Sequence, residues 1–164
     1  MNLDNGTAVI SPPEMAAVFT WPVRIYYEDT DAGGVVYHAN YLKFMERART
    51  EFLRRLGYDL DVIESTEGLI FAVRALKIDY RSPARLNDLV EVTVTCETVR
   101  SASIVFVQCV YREGRLLCES RVRVASISTK SYRPIAIPER MRQQLQIGTG
   151  QVSDPAVFRT RSEP

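Results

Sequence analysis

Apolar residues near the start of the chain recur at every second position. The alternating set is Trp21, Val23, Ile25 and Tyr27. This period of two is typical of a half-buried β-strand, and it places Tyr27 on the apolar face of that strand. The next segment, residues 29–34, ends in two glycines, which permit a tight turn and the close approach of a ligand to the backbone.

A helical period begins beyond this turn. Apolar side chains now recur every three or four residues, at Leu42, Met45, Ala48, Phe52 and Leu56. The spacing predicts one long helix, which Asn40 caps at its start and Gly57 closes at its end. The first turn of such a helix leaves N–H groups unpaired at the positive end of the macrodipole, which suits a polarised carbonyl oxygen. We expect Asp31 to lie within reach of this end.

The rest of the chain returns to the strand period. Four strands are predicted, over residues 71–80, 90–97, 102–111 and 116–129. A change of phase near Arg74 indicates a bulge, and the third of these strands is apolar on both alternations, as a central strand is. Pro138 opens a short C-terminal helix. One strand, one helix and then four strands predict an α+β domain with an antiparallel sheet.

Length and composition predict one domain over residues 21–146. The chain has 164 residues and is 46% hydrophobic, which is enough to bury a core. Residues 1–20 and 147–164 are rich in Pro, Ser, Thr and Gly and are predicted to be poorly ordered arms. The formal net charge of +1 and the lack of a basic run argue against nucleic acid as a partner.

Cysteine and histidine content restricts the chemistry further. Cys96, Cys109 and Cys118 lie in predicted strands without metal-ligand spacing, which indicates buried reduced thiols and a cytoplasmic protein. His38 is the only His, so we expect no metal site. The sequence has neither a G-x-G-x-x-G nor a G-x-x-x-x-G-K-[ST] motif, and we expect no cofactor. No signal segment opens the chain and no apolar run approaches the ~20 residues of a membrane helix, so no stable membrane insertion is expected.

Residues 24–41, RIYYEDTDAGGVVYHANY, carry a family resemblance. The pattern R-I-x4-T-D-x2-G-V-V, from Arg24 to Val36, resembles the active-site signature of the 4-hydroxybenzoyl-CoA thioesterase family. The continuation YHANYLKFMERARTEFLRRLG resembles its YbgC branch, acyl-CoA thioesterases associated with the Tol–Pal system. The resemblance implies the hotdog fold, in which an antiparallel sheet wraps one long helix. It also implies a homodimer or homotetramer with active sites at the subunit interface.

The resemblance assigns roles to residues of this chain. Asp31 aligns with the catalytic acid, His38 with the position that opens the helix, and Tyr27 with an aromatic residue of the site. Gly34 and Val35, within the matched signature, are assigned to substrate binding. Asp31 would either add to the thioester carbonyl as a nucleophile or deprotonate a water as a general base, and both routes stay open. Without the resemblance, these side chains would be interpreted as a turn acid, a capping histidine and a core tyrosine.

Phosphate groups of the CoA substrate require basic and hydroxyl partners. The predicted partners lie at a hairpin turn: Arg100, Ser101 and Ser103. Three other basic residues compete for this role: Arg85, Lys130 and Arg133. Acyl carrier protein is an alternative to CoA as the carrier of the acyl group.

Two other functions are compatible with the same fold. A hotdog dehydratase would act on the acyl chain, but it needs a further His-based motif in a chain with one His. A non-catalytic sensor would bind an acyl thioester without turnover. Release of free thiol by the purified protein distinguishes the thioesterase from this sensor.

Overall fold

The computed structural model of the protein describes residues 18–147. The strands are β1 (Phe19–Arg24), β2 (Leu69–Tyr80), β3 (Leu89–Val99), β4 (Ser103–Arg112) and β5 (Arg115–Ser128). The helices are α1 (Asn40–Arg55), α2 (Leu60–Glu67) and α3 (Glu139–Ile147). None of these helices has the length and apolar content that a membrane crossing needs.

The domain begins and ends slightly beyond the predicted limits. Strand β1 includes Phe19, which pairs with Val94, so the ordered domain starts before residue 21. Helix α3 follows Pro138 directly, as predicted, and extends to Ile147. The remaining residues of the two predicted arms, 1–17 and 148–164, lie outside the described residues.

The five strands form one antiparallel sheet in the order β1-β3-β4-β5-β2. Strand β4 lies at the centre, which confirms the prediction from its two-sided apolar pattern. The register of β2 against β5 shifts between Val73 and Ala75, so the bulge predicted near Arg74 is also confirmed. Strand β2 lies at one edge of the sheet.

Helix α1 packs against this sheet and supplies much of the core. Its buried residues are Asn40, Tyr41, Phe44, Met45, Ala48 and Leu53. Of the predicted stripe, Met45 and Ala48 are buried, whereas Leu42, Phe52 and Leu56 are half-buried. The sheet curls around the helix and buries an arc wider than one stripe, as in the hotdog fold that the resemblance implied.

The end of α1 follows the prediction, whereas the next helix was not predicted. Gly57 has a φ of 93° and donates to the Arg54 carbonyl at 2.9 Å, while the Tyr58 N–H reaches Leu53 at 3.0 Å. This pair of bonds is a Schellman motif. Helix α2 has only eight residues, too few to display a clear helical period, and Gly68 ends it with a φ of 64°.

Candidate active site

Asp31 lies at the tip of a tight hairpin between β1 and α1. Thr30 and Val36 form an isolated antiparallel bridge, and the Asp31 N–H donates to the Val35 carbonyl at 2.9 Å. The Asp31 carbonyl accepts the Gly34 N–H at 3.0 Å, and its Oδ1 accepts the Gly33 N–H at 2.8 Å. The side chain is exposed in the single chain. The hairpin therefore fixes one carboxylate oxygen and leaves Oδ2 without a hydrogen bond from residues 18–147.

The two glycines of this hairpin have different functions. Gly34 has a φ of 73°, in the left-handed region that side chains disfavour. A Cβ at Gly33 would lie 3.0 Å from Asp31 Oδ1, whereas a Cβ at Gly34 would meet nothing within 4 Å. Gly34 thus allows the turn, and Gly33 allows the approach of the carboxylate to the backbone.

The carbonyl of Asp29 ties the hairpin to the start of α1. It accepts the Tyr37 N–H and the Asn40 Nδ2–H, both at 2.9 Å. The prediction that Asn40 caps the helix is wrong, because Ala39 occupies the N-cap position and no side chain caps it. Asn40 is instead the first helical residue, and its buried amide points back to the hairpin. The acid and the helix start are therefore held as one unit.

The start of α1 offers unpaired N–H groups. The Asn40 N–H is taken by the Tyr37 carbonyl at 2.8 Å and the Leu42 N–H by the Ala39 carbonyl at 3.2 Å. No acceptor within the described part of the chain bonds the N–H of His38 or of Ala39. These two groups lie at the positive end of a 16-residue helix and can donate to a substrate oxygen.

His38 borders a cavity of about 270 Å³. The cavity is lined by Val36, His38, Tyr41, Tyr80, Arg81, Ser82 and Pro83. Because Val36 pairs with Thr30, the cavity adjoins the hairpin that carries Asp31. The His38 ring packs edge-on against Tyr37, with ring centroids 4.5 Å apart, and against Tyr80, with centroids 6.3 Å apart, and the residue is exposed. The cavity thus lies beside the start of α1 and one strand of the hairpin, and Asp31 at the tip of the hairpin is not among its lining residues.

Two tyrosines form the inner wall of this cavity, and the sequence analysis did not identify either. The buried Tyr41 hydroxyl accepts the Ala84 N–H at 2.9 Å, and the Tyr80 hydroxyl donates to the His38 carbonyl at 2.8 Å. Burial raises the pKa of both phenols, so both stay protonated at neutral pH. Tyr80 lies 42 residues from His38 in sequence, which is why no local pattern revealed the contact.

Tyr27 does not lie on the apolar face of a strand, so that prediction is wrong. Strand β1 ends at Arg24, and residues 27–29 form a 3-10 helix with the Tyr27 side chain 81% exposed. Asp29 causes the change, because its Oδ2 accepts the Tyr26 N–H at 2.8 Å and turns the backbone. The Tyr27 ring remains in the segment leading to Asp31, and its role in the site stays a prediction.

The predicted phosphate-binding residues lie away from Asp31 in the same chain. Arg100, Ser101 and Ser103 form the β3–β4 turn, while the other end of β3 adjoins the hairpin through a bond from the Ile25 N–H to the Asp88 carbonyl at 2.9 Å. Strand β3 has 11 residues, so its two ends lie about 33 Å apart at the usual strand rise. The phosphate-binding role of Arg100, Ser101 and Ser103 stays a prediction. It requires a second copy of the chain, whose turn would lie closer to this Asp31.

Of the candidate phosphate-binding residues, Arg85 pairs directly with the hairpin that carries the acid. It forms an antiparallel bridge with Val35, and the neighbouring Ala84 carbonyl accepts the Val36 N–H at 2.9 Å. Its side chain is exposed. Spacing along the sequence gave no basis for ranking Arg85 above the other candidates, because only the folded chain places it beside the hairpin.

The three cysteines are free and buried, as predicted. Burial raises the pKa of Cys96 and of Cys118 to about 12, so neither provides a thiolate nucleophile at neutral pH. Residues 18–147 hold no cluster of three or more His, Cys, Asp or Glu side chains placed to bind a metal ion.

The sheet wrapped around α1, with a hairpin tied to the helix start through Asp29, is the architecture of hotdog-fold thioesterases. Comparison with known proteins assigns the family. Residues 26–145 match the Thioesterase-like superfamily, and the chain belongs to this family. It is a thioester hydrolase.

The related proteins cover nearly the whole domain. The acyl-CoA thioesterase YbgC of Haemophilus influenzae is 44% identical over 124 residues, covering 76% of this chain and 91% of the relative. The acyl-CoA thioester hydrolase YbgC of Escherichia coli is 45% identical over 123 residues, with coverages of 74% and 91%. The crystal structure of a probable thioesterase from Bartonella henselae superposes with a TM-score of 0.72 at 34% identity. It covers 74% of this chain and 100% of that structure's chain.

Proposed function

We propose that this protein hydrolyses acyl-CoA thioesters to the free acid and CoA, with Asp31 as the reacting carboxylate. The observation that carries the proposal is the hairpin that fixes Asp31 Oδ1 on the Gly33 N–H and is joined to the start of α1 through Asp29. The YbgC relatives are acyl-CoA thioesterases by name, which supports the same substrate class.

The reaction begins with the thioester oxygen at the free N–H groups of His38 and Ala39. Addition to the carbonyl carbon places negative charge on that oxygen, and each well-placed donor stabilises the charged state by about 3 kcal/mol. The C–S bond then breaks, the carbonyl re-forms, and CoA leaves as a thiolate that takes a proton from solvent. The positive end of α1 favours the oxyanion over the neutral ground state.

Asp31 starts the addition by one of two routes. As a nucleophile, its free Oδ2 bonds to the carbonyl carbon and gives a mixed anhydride, which water later cleaves into the acid and the aspartate. As a general base, it removes a proton from water, and the resulting hydroxide adds to the carbonyl. A single turnover in H₂¹⁸O that labels the Asp31 peptide identifies the anhydride route.

The neighbouring residues orient the substrate in this scheme. The backbone at Gly34 and Val35 borders the carboxylate and leaves room for the thioester. The exposed rings of His38 and Tyr27 flank the hairpin and position the water or the acyl group. Arg85 of the same chain, and the turn Arg100–Ser103 of a second copy, bind the CoA phosphates.

A second copy of the chain is also indicated by the edge of the sheet. Strand β2 has 12 residues and exposes Val73 and Leu76 on an edge where no strand of the described residues pairs. A long apolar edge is a site of strand pairing. We therefore expect a homodimer built on β2, with a homotetramer as a further level of assembly.

The thiols support the predicted cytoplasmic location. Cys96, Cys109 and Cys118 are free and buried, which is the usual state of cysteine in a reducing compartment. Acyl carrier protein stays an alternative carrier, since it presents the same thioester to the site.

Thiol release from short, long and aromatic acyl-CoAs tests the proposal, with Asp31→Asn as a nearly isosteric change and Asp31→Ala beside it. Both variants lose the reacting carboxylate, so we expect kcat to fall by at least about 100-fold in each. Thermal unfolding should remain close to that of the wild type, since the side chain is exposed.

Glu46→Gln is the matched control. Glu46 is an exposed carboxylate on α1 that bonds Thr50, two turns into the helix. It is the reserve base if Asp31 is not the reacting group. A fully active Asp31→Asn enzyme together with an inactive Glu46→Gln enzyme contradicts the proposed role of Asp31.

A further inference from the structure

We propose that Tyr80 is a positioning residue, whose phenol holds the peptide between His38 and Ala39 so that the Ala39 N–H faces the thioester oxygen. This inference rests on the proposed function, because it concerns the donors that stabilise the oxyanion. Tyr80 acts through the backbone and does not itself touch the reacting atoms.

The phenol is held in place by its surroundings. Tyr80 is the last residue of β2, and its ring packs edge-on against Tyr41 at 5.6 Å and against His38 at 6.3 Å between centroids. The Tyr41 ring is itself buried and anchored by the Ala84 N–H. The donor to the His38 carbonyl is thus mounted on the sheet and not on the hairpin itself.

Peptide geometry connects this bond to the substrate. The structure has no cis peptide bond among its described residues, so the C=O of His38 and the N–H of Ala39 point in opposite directions. A phenol that fixes the carbonyl from one side therefore fixes the N–H on the other. That N–H has no acceptor within residues 18–147 and lies directly before α1.

The same bond also strengthens the donor. A hydrogen bond to the carbonyl of a peptide polarises the whole group and makes its N–H a better donor. The His38–Ala39 peptide precedes the helix, so no intrahelical bond of its N–H fixes its orientation. Tyr80 supplies the orientation that the helix does not.

The exposure of Tyr80 distinguishes this role from a purely structural one. The residue is 46% exposed, so water can replace the phenol at the His38 carbonyl when the hydroxyl is removed. Loss of the hydroxyl therefore costs little folding stability. It removes the fixed direction of the peptide, and this affects the transition state more than substrate binding.

Tyr80→Phe tests the inference in the full-length protein, because it removes the hydroxyl and keeps the ring. We expect kcat to fall by about tenfold, with KM within about twofold of the wild type and the melting temperature nearly unchanged. Two CoA analogues separate positioning from packing. An analogue with a tetrahedral, negatively charged oxygen in place of the carbonyl should bind several-fold more weakly to the variant, whereas a thioether that lacks the carbonyl should bind equally well.

Tyr132→Phe is the control for loss of a phenol, since Tyr132 is 77% exposed and lies far along the chain from the site. Its kcat should match the wild type. An unchanged kcat in Tyr80→Phe overturns the inference, as does an equal loss of affinity for both analogues. Failure of the proposed function gives a different result, namely no thiol release by the wild type or full activity of Asp31→Asn.

Discussion

At the scale of single residues, the proposed role of Asp31 depends on the residue two places after it. The Gly33 N–H bonds Asp31 Oδ1 at 2.8 Å, so the carboxylate lies against the backbone of its own turn. This bond fixes the position of one carboxylate oxygen, and both proposed routes require a positioned carboxylate. The glycine that permits this contact is thus part of the proposed site.

Gly33→Ala and Gly34→Ala form a matched pair that separates the carboxylate from the turn. An Ala Cβ at residue 33 would lie 3.0 Å from Asp31 Oδ1 and displace it, so we expect kcat to fall about tenfold. An Ala at residue 34 meets no atom within 4 Å but adopts a positive φ, which costs about 1 kcal/mol of folding stability. Steady-state kinetics and urea unfolding of both variants measure the two effects. Equal kcat values in the two variants would contradict the separate roles.

The sequence predicted the acid and its glycine turn because all their determinants lie within six consecutive residues. It did not predict the exposure of Tyr27, since the alternation of apolar residues continues through a segment that Asp29 turns. Tyr41 and Tyr80 were missed for another reason. Their polar partners, Ala84 and His38, are brought to them by the sheet and not by local sequence.

At the scale of elements, the start of α1 is defined by its connection to the hairpin and not by a capping side chain. Asn40 donates to the Asp29 carbonyl from the first position of the helix. The sequence analysis took the same residue for an N-cap, whose side chain would accept from the helix. The two roles require opposite hydrogen-bonding chemistry, so they can be distinguished.

Asn40→Asp distinguishes these roles. An acid at a helix start is stabilising when it caps or complements the dipole. Here it would place a carboxylate against the Asp29 carbonyl in a buried site, so we expect a loss of about 1–3 kcal/mol in the free energy of unfolding. Asn40→Ala, which removes the donor without adding charge, should lose less. Denaturant unfolding measures both, and an Asn40→Asp protein as stable as the wild type would support a cap.

Long periodic segments were predicted with their type and approximate position, including α1, the four later strands and the bulge at Arg74. Of the two short helices, α3 was predicted from Pro138, whereas α2 was not. Helix α2 has eight residues with one buried side chain, Ile63, and the arc buried on α1 depends on how far the sheet curls. The apolar period of a single segment therefore reveals neither the presence of α2 nor the width of the buried arc on α1.

At the scale of the whole molecule, the proposed site requires a second chain. The turn Arg100–Ser103 lies at the far end of β3 from the hairpin, and the apolar edge of β2 is open in the single chain. The sequence indicates which side chains can bind phosphate. Only the folded structure shows that the length of β3 separates these side chains from the hairpin. The position of the competing Arg85 beside Val35 is likewise visible only in the folded chain.

Leu76→Glu tests association through β2. The side chain is 40% exposed on the edge strand, and a carboxylate there would face its own copy across the predicted pairing. We expect the dimer dissociation constant to rise at least about tenfold, because like charges meet at a desolvated contact. Light scattering after gel filtration measures the change.

Ile147→Glu serves as the control, since Ile147 is 80% exposed at the end of α3 and should leave the mass unchanged. A Leu76→Glu protein with the wild-type mass at every concentration would place the interface elsewhere. A wild-type protein that is monomeric throughout would remove the interface altogether.

Strand β2 ends at Tyr80, so the strand that presents the apolar edge also carries the phenol that bonds His38. A shift of this strand by one residue would turn every side chain to the opposite face and remove the phenol from the loop. Substitutions in these 12 residues are therefore subject to two constraints, one from strand pairing and one from the position of the Tyr80 phenol. A substitution selected for tighter pairing can slow turnover without contacting substrate, and drift in quaternary structure is thereby linked to drift in reaction rate.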